Sequence, residues 1–277
     1  MKIAMLQTPV GFDKEQNIER ALAWLRQSGE NGTDIAVLPE MFTCPYSNKY
    51  FPDYAEEGFG KTRQALSQAA RELGIYIVGG SIPEREQGKL YNTSFVYDRK
   101  GKEIAFCRKS HLFDIDVKGG QRFFESETFS AGDNITVFDT EFGKMGLCIC
   151  FDMRFPELSR IMALEGAVAV IVPAAFNMTT GPLHWELMFR QRAVDNQLFT
   201  VGVSPARDEH GVYVAYGHSI AVDPWGKVVC QMEEGEGMAV CDMDLSMVNE
   251  VRSQLPLINA RREDIYMVKR VANTKLK

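Results

Sequence analysis

The chain contains no apolar run long enough to cross a bilayer, which takes about 20 residues. Its opening stretch, MKIAMLQTPVGFDKEQ, turns polar too soon for a secretory signal. A soluble, cytoplasmic protein is the expectation. Basic clusters are also missing: lysine and arginine number 31 against 37 acids, for a net charge of −6. That balance argues against nucleic acid and anionic membrane as partners, because both are bound through concentrated positive charge. Histidine is scarce, at 4 residues, and no C-x-x-C or H-x-x-x-H spacing occurs, so no metal and no other cofactor is expected. The 6 cysteines are scattered through a chain without secretory features, which points to reduced thiols rather than a disulfide framework. Internal repeats, low-complexity tracts and linkers are absent, so residues 1–277 read as one domain.

What is present is an alternation of short apolar runs and helical periodicities, carried by 45% apolar residues. KIAMLQ reads as a strand, and Ile18, Ala21, Leu22 and Leu25 then fall at helical spacing behind a possible capping box of Asp13 and Gln16. DIAVLPE is a continuous apolar run, as expected of a strand covered on both faces. TRQALSQAAREL repeats the helical spacing and ends on Gly74, before the strand IYIVGGS. Hairpins are expected around Gly101, around Gly143 and around the DPWG turn. PELSRIMALEG and LHWELMFRQRAVDNQ read as helices, and AVAVIVPAAF, LFTVGVSP and GMAVCDMDL as strands ahead of a last helix and a basic tail. The sum is an α/β protein of two sheets with helices outside.

The stretch GLCICFDMRFPEL raises the question of chemistry. Its Cys148 and Cys150 lack the further ligands a zinc site needs, and a C-x-C disulfide is uncommon. A buried free cysteine is more often core than catalyst. Alternation through Met145, Leu147 and Ile149 places both cysteines on the opposite face, but Cys150 sits where FDMRFP forces the strand into a turn and helix. A thiol at such a turn lies beside free backbone N–H groups, which suits a thiolate and an oxyanion. Two other strand ends carry a charge in apolar surroundings: Glu40 in AVLPEMF and Lys109 in FCRKSHLFD. Judged singly, each is more often a solvated surface charge than a catalyst.

Taken together, LPEMF, CRKSHLF and CICFDMRFPE resemble, in order and spacing, the glutamate, lysine and cysteine motifs of the nitrilase superfamily of carbon–nitrogen hydrolases. The resemblance runs through nearly the whole chain. It narrows to the ω-amidase branch in KSHLFDIDV, FFESETFSAGD, AFNMTTGPLHWELMFRQRAVDNQ, SPARDEHGVYVAYGHS and DPWGKV. Cys148 stands where relatives usually carry a small glycine, and reads as filler beneath the site.

The resemblance implies a four-layer α-β-β-α sandwich that assembles into a homodimer or a higher homo-oligomer, with the tail from about residue 255 to 277 packing on a partner subunit. It implies a thiol-dependent amidase that hydrolyses the terminal amide of a small dicarboxylate monoamide, of the 2-oxoglutaramate or 2-oxosuccinamate type, and releases ammonia. Alternatives are a deaminated-glutathione amidase, an N-carbamoyl amino acid hydrolase or, outside catalysis, an inactive metabolite-binding scaffold. Cys150 takes the nucleophile's place, Glu40 the base's, and Lys109 with the Phe151 N–H the oxyanion's. Glu125 corresponds to a second glutamate beside the lysine. Arg154 corresponds to an arginine that binds the substrate carboxylate, against the rival reading of a salt bridge to Asp152 or Glu157. Phe176, Asn177, Thr180 and Tyr46 complete the expected pocket.

Overall fold

The computed structural model describes residues 1–271. Strand β1 (Lys2–Gln7) shows how the layers arise from sequence alternation. Ile3 and Met5 enter a core shared by two sheets, while Ala4 and Leu6 enter a second core beneath helices. Those helices are α1 (Lys14–Glu30), whose Ala21 and Leu25 join the second core, and, further along, one whose Leu66 and Ala70 do the same. The Asp13 carboxylate caps α1 by accepting the Glu15 and Gln16 N–H groups. The return bond from the Gln16 side chain that would complete a capping box is not made among the described contacts.

Next come β2 (Ile35–Val37), the single turn α2 (Phe51–Tyr54), β3 (Glu56–Glu57), α3 (Lys61–Leu73) and β4 (Tyr76–Val78). The strand expected through Glu40 therefore stops at Val37, which frees residues 38 to 40 to leave the sheet. Gly74 closes α3 in the left-handed region, as its lack of a Cβ allows. The chain continues through β5 (Ile82–Glu86), β6 (Lys89–Tyr97) and β7 (Glu103–Arg108). Antiparallel β5 and β6 form a hairpin that the hydrophobic pattern did not announce. Its two-residue turn, Gln87–Gly88, has φ of 50° and 75°, the mirror-image geometry that matches strand twist.

A small ribbon follows, β8 (Asp114–Asp116) with β9 (Arg122–Phe124), and then the hairpin of β10 (Thr136–Thr140) and β11 (Gly143–Leu147). The remaining elements are α4 (Pro156–Leu164), β12 (Ala167–Pro173), α5 (Gly181–Asn196), β13 (Phe199–Val203), β14 (Ile220–Val222), β15 (Val228–Gln231), β16 (Gly237–Asp242) and α6 (Ser246–Gln254). Helix α5 begins two residues ahead of the sequence reading, because Pro182 sits at a first-turn position where no N–H is needed.

One sheet runs β16-β1-β2-β4-β6-β5-β3 with β7 also paired to β6, and the other runs β10-β11-β12-β13-β14-β15. Ile35 and Val37 of the first sheet share a core with Leu147, Ile171 and Val201 of the second. Trp185 and Phe189 of α5 and Met162 of α4 extend that core. The layers thus stack helix, sheet, sheet, helix. Among the described residues no helix is long and apolar enough to cross a membrane. The expected contact of the tail with a partner falls partly on residues 272–277, outside the described residues. Within the chain, Arg270 pairs with Glu165 at 2.7 Å.

Candidate active site

Three chain segments that leave the sheets deliver the site. Glu40 follows β2 by three residues, Lys109 directly follows β7, and Cys150 follows β11 by three residues. The alternation inferred through Ile149 ends at Leu147, so the face of Cys150 is set by a turn instead. Cys150 has φ of +47° and opens a 3-10 turn, Cys150–Arg154, that feeds α4. Met41, just after Glu40, has φ of +53°. A left-handed non-glycine residue costs about 1–3 kcal/mol, and the surrounding packing holds both in place.

Glu40, Lys109 and Glu125 are all fully buried, and Cys150 is buried with them. Lys109 Nζ lies 2.9 Å from Glu40 Oε1 and 2.8 Å from Glu125 Oε2. It lies 3.2 Å from the Tyr46 hydroxyl, which is 3.4 Å from both glutamates. Asn92 donates to Glu40 Oε1 at 2.8 Å and to Glu125 Oε1 at 3.1 Å. The Phe113 N–H donates to Glu125 Oε2 at 2.6 Å. Glu125, expected beside the lysine, contacts Lys109 directly. Asn92 and Phe113 were not singled out in the sequence, where nothing marks an asparagine entering a strand or a backbone N–H as part of a site.

Glu40 is left with one buried oxygen, Oε2, that has no protein partner, and the Cys150 thiol faces this carboxylate. Burial pushes Glu40 above the usual carboxylate range; Lys109 opposes that shift and Glu125 adds to it. Burial opposes the Lys109 charge, but Glu125 and Glu40 outweigh it and hold the ammonium above its ordinary range. Burial pushes the Cys150 thiol well up, Glu40 adds to this, and Lys109 and the Ala175 backbone pull it back. The thiol thus lies beside a buried carboxylate that the Lys109 ammonium contacts directly. Such a set can move a proton from sulfur and hold charge on a substrate oxygen.

A cleft whose lining includes Glu40, Tyr46, Ala175 and Tyr213 reaches this cluster. Tyr213 comes from the irregular segment between β13 and β14, packs its ring 4.7 Å from that of Tyr46, and donates its hydroxyl to the Ala175 carbonyl. It too went unnoticed in the sequence. Arg154 lies over the rings of Phe176, at 4.8 Å, and Phe151, at 5.6 Å. Its Nη1 is 3.1 Å from His184 Nδ1. The rival expectation of a salt bridge from Arg154 to Asp152 or Glu157 is incorrect: no carboxylate pairs with it among the described residues. Asp152 is turned instead toward backbone N–H groups and His111. Phe176 is buried with its edge on Trp185. Asn177 Oδ1 accepts from the Thr180 N–H and hydroxyl at 2.9 and 3.1 Å, and its amide donates to Gln121. Asn177 and Thr180 thus shape the loop before α5. Arg192, from within α5, donates to the Met153 and Arg154 carbonyls and braces the far end of the Cys150–Arg154 turn. Cys148 is buried in the core, as expected of a filler.

Residues 2–253 match the carbon-nitrogen hydrolase family model. The chain is 47% identical to the Homo sapiens protein named omega-amidase NIT2, with 96% of this chain and 97% of that protein aligned. It is 46% identical to the omega-amidase NIT2 of Danio rerio, with 98% of each aligned. Among solved structures, Saccharomyces cerevisiae Nit3, described as a member of branch 10 of the nitrilase superfamily, superposes with a TM-score of 0.87 at 41% identity. That alignment covers 95% of this chain and 96% of Nit3. The C. elegans NitFhit protein superposes with a TM-score of 0.85 at 31% identity, over 99% of this chain and 68% of that one. A buried Glu–Lys–Glu cluster facing a cysteine, held in this sandwich and matched from end to end, places the chain in the carbon–nitrogen hydrolase family, within the nitrilase superfamily.

Proposed function

We propose that the protein is a thiol-dependent ω-amidase that hydrolyses the terminal amide of small dicarboxylate monoamides such as 2-oxoglutaramate and 2-oxosuccinamate. Two things support the reading: the near-complete alignment with proteins named omega-amidase, and Arg154, a guanidinium in the nucleophile's own turn that pairs with no carboxylate among the described residues. The arginine is the observation that carries the substrate class. Burial pulls its pKa down from the ordinary value, and Cys150 and Tyr213 pull the other way, so a carboxylate is the counter-charge it lacks.

In this reading Glu40 takes the Cys150 thiol proton as sulfur attacks the amide carbon. Lys109 and the Phe151 N–H, at the start of a 3-10 turn where backbone donors lack intrahelical acceptors, hold the oxyanion. Glu40 passes the proton to the amide nitrogen, the C–N bond breaks, and ammonia leaves behind a Cys150 thioester. Water then gives a proton to Glu40 and attacks the thioester carbon. The sulfur departs and recovers that proton. Glu125 holds Lys109 through its ion pair. Arg154 binds the distal carboxylate over the Phe176 ring, Tyr46 and Tyr213 wall the cleft, and Asn177 and Thr180 set the loop. Ammonia release from a panel of ω-amides, N-carbamoyl amino acids and deaminated glutathione tests the reading. A higher kcat/KM on either of the last two classes would displace the substrate assignment.

A homodimer belongs to the same proposal. Leu183, Leu187 and Val194 of α5 are exposed on one face, close to exposed Trp225. Exposed apolar residues grouped on one helix face suit a contact with a second subunit. The exposed tail residues Ile265, Tyr266 and Met267 suit a contact with the second subunit. A cytoplasmic setting accords with six unpaired cysteines. Sedimentation or gel filtration giving only a monomer would remove the dimer.

A further inference from the structure

The proposed mechanism uses Cys150 but leaves unexplained the buried carboxylate two residues after it. Asp152 is almost wholly buried, and no lysine or arginine pairs with it among the described residues. Its Oδ1 accepts the His111 N–H at 2.8 Å and lies 2.8 Å from His111 Nδ1. Its Oδ2 accepts the Ile149 N–H at 3.1 Å and faces the Ser110 N–H at 3.4 Å. Ser110 and His111 are the two residues immediately after Lys109, and Ile149 is the residue immediately before Cys150. One carboxylate therefore joins the backbone that carries the ammonium to the backbone that carries the thiol.

The two backbones belong to different sheets. Lys109 leaves β7 in the sheet that contains β1, and Cys150 leaves β11 in the sheet that contains β12. Sliding one sheet on the other would change the distance from ammonium to sulfur, and apolar packing between sheets is non-directional. Charge-assisted hydrogen bonds to a buried carboxylate are directional and supply the register that packing does not. The His111 ring, the solvent-side partner, stacks on Phe155 at 3.6 Å and 12°, so its orientation is fixed from the same turn.

We infer that Asp152 is a positioning residue that sets Lys109 against Cys150 across the two sheets, so that the oxyanion forms within reach of the ammonium. The inference rests on the catalytic reading above, in which Lys109 stabilises charge at the reacting carbon. A role confined to stability would lower the folded fraction and leave the chemistry of each folded molecule intact. A positioning role lowers turnover per folded molecule and acts only through Lys109.

The test compares Asp152→Asn with the wild type, counting active molecules by alkylation stoichiometry at Cys150. Per active site, kcat on 2-oxoglutaramate falls on the order of 100-fold with KM little changed, the size expected when a reacting group is misplaced by about 1 Å. The second readout is the rate of Cys150 alkylation by iodoacetamide at a fixed, mildly alkaline pH, which needs no knowledge of the substrate. Asp152→Asn slows it about 10-fold in the wild-type background, the effect of about one unit of thiol pKa. In a Lys109→Ala background it adds nothing. Unchanged alkylation, or equal slowing in both backgrounds, overturns the inference. Should Asp152→Asn not fold, His111→Ala, which removes only the outer partner, gives the same pattern at smaller size, and its absence is equally decisive. If the wild type released no ammonia from any ω-amide, the functional reading would fail while the alkylation comparison kept its meaning.

Discussion

Glu125 Oε2 lies 2.8 Å from Lys109 Nζ, with both side chains fully buried, so the lysine stands between two carboxylates rather than in a simple pair with Glu40. The second carboxylate compensates the buried ammonium and also makes Glu40 more basic. Glu125→Gln keeps the shape and removes the charge. Because Glu125 raises the pKa of Glu40, its neutralisation lowers that pKa, and the acid limb of the kcat/KM profile moves to lower pH. Activity at the plateau falls on the order of 100-fold as the ammonium loses a partner. A profile whose acid limb stays in place would contradict the coupling.

Glu40→Gln separates base catalysis from thiol reactivity. Turnover drops by about 100- to 10,000-fold, the usual contribution of a general base. The same change removes a negative charge that raises the Cys150 pKa while leaving Lys109 in place, so alkylation of Cys150 at fixed pH becomes faster. Parallel loss of turnover and alkylation would show that the two groups are not arranged as described.

Arg154→Met is expected to raise KM for 2-oxoglutaramate about 10- to 100-fold, the worth of a charge-assisted fork, and to spare a small neutral amide. Arg154→Lys should recover little, since a point charge does not reproduce the planar pair of donors. Equal losses on charged and neutral amides would remove the arginine from recognition. KM values measured on the two substrates decide between these outcomes.

Gly80 packs against the backbone that carries Glu40. It has φ of +55°, and a Cβ there would come 2.2 Å from the Pro39 carbonyl, one residue before Glu40. Gly80→Ala should cost about 1–3 kcal/mol of stability, read as a shift in denaturant midpoint, because both the backbone and the space resist it. It should also lower kcat by moving Glu40.

The two neighbouring cysteines differ in fate. Cys148→Ala should retain most activity and lose only about 1 kcal/mol for one buried atom of packing. Cys150→Ala should retain none. Ammonia assays on both proteins, at equal folded concentration, check the pair.

Strand-end position alone left Glu40, Lys109 and Cys150 as more ordinary surface or core residues; it was the resemblance of their three motifs, in order and spacing, that joined them into one expected site. The layer architecture was readable from the hydrophobic pattern: the alternation in β1 assigns Ile3 and Met5 to one core and Ala4 and Leu6 to another. The short elements β3, β8 and β9 escaped because two or three residues carry no period. The Gln87–Gly88 hairpin escaped because its signal is a turn conformation rather than a hydrophobic pattern. Asn92, Tyr213 and the clamp made by Asp152 escaped for a deeper reason. Their roles exist only once segments dozens of residues apart converge, and a polar side chain in isolation does not reveal which backbone it will meet. For Arg154, the rival reading of an ion pair with Asp152 or Glu157 rested on sequence proximity, yet the local turn directs Asp152 toward the lysine's segment.

The most direct test is to mix purified protein with 2-oxoglutaramate, follow ammonia release, and trap the enzyme in acid for intact-mass and peptide analysis. The account predicts ammonia release that depends on Cys150, with an acyl group linked to Cys150 as a thioester at early times. No ammonia, or turnover that persists in Cys150→Ala without any acyl-enzyme, would contradict it.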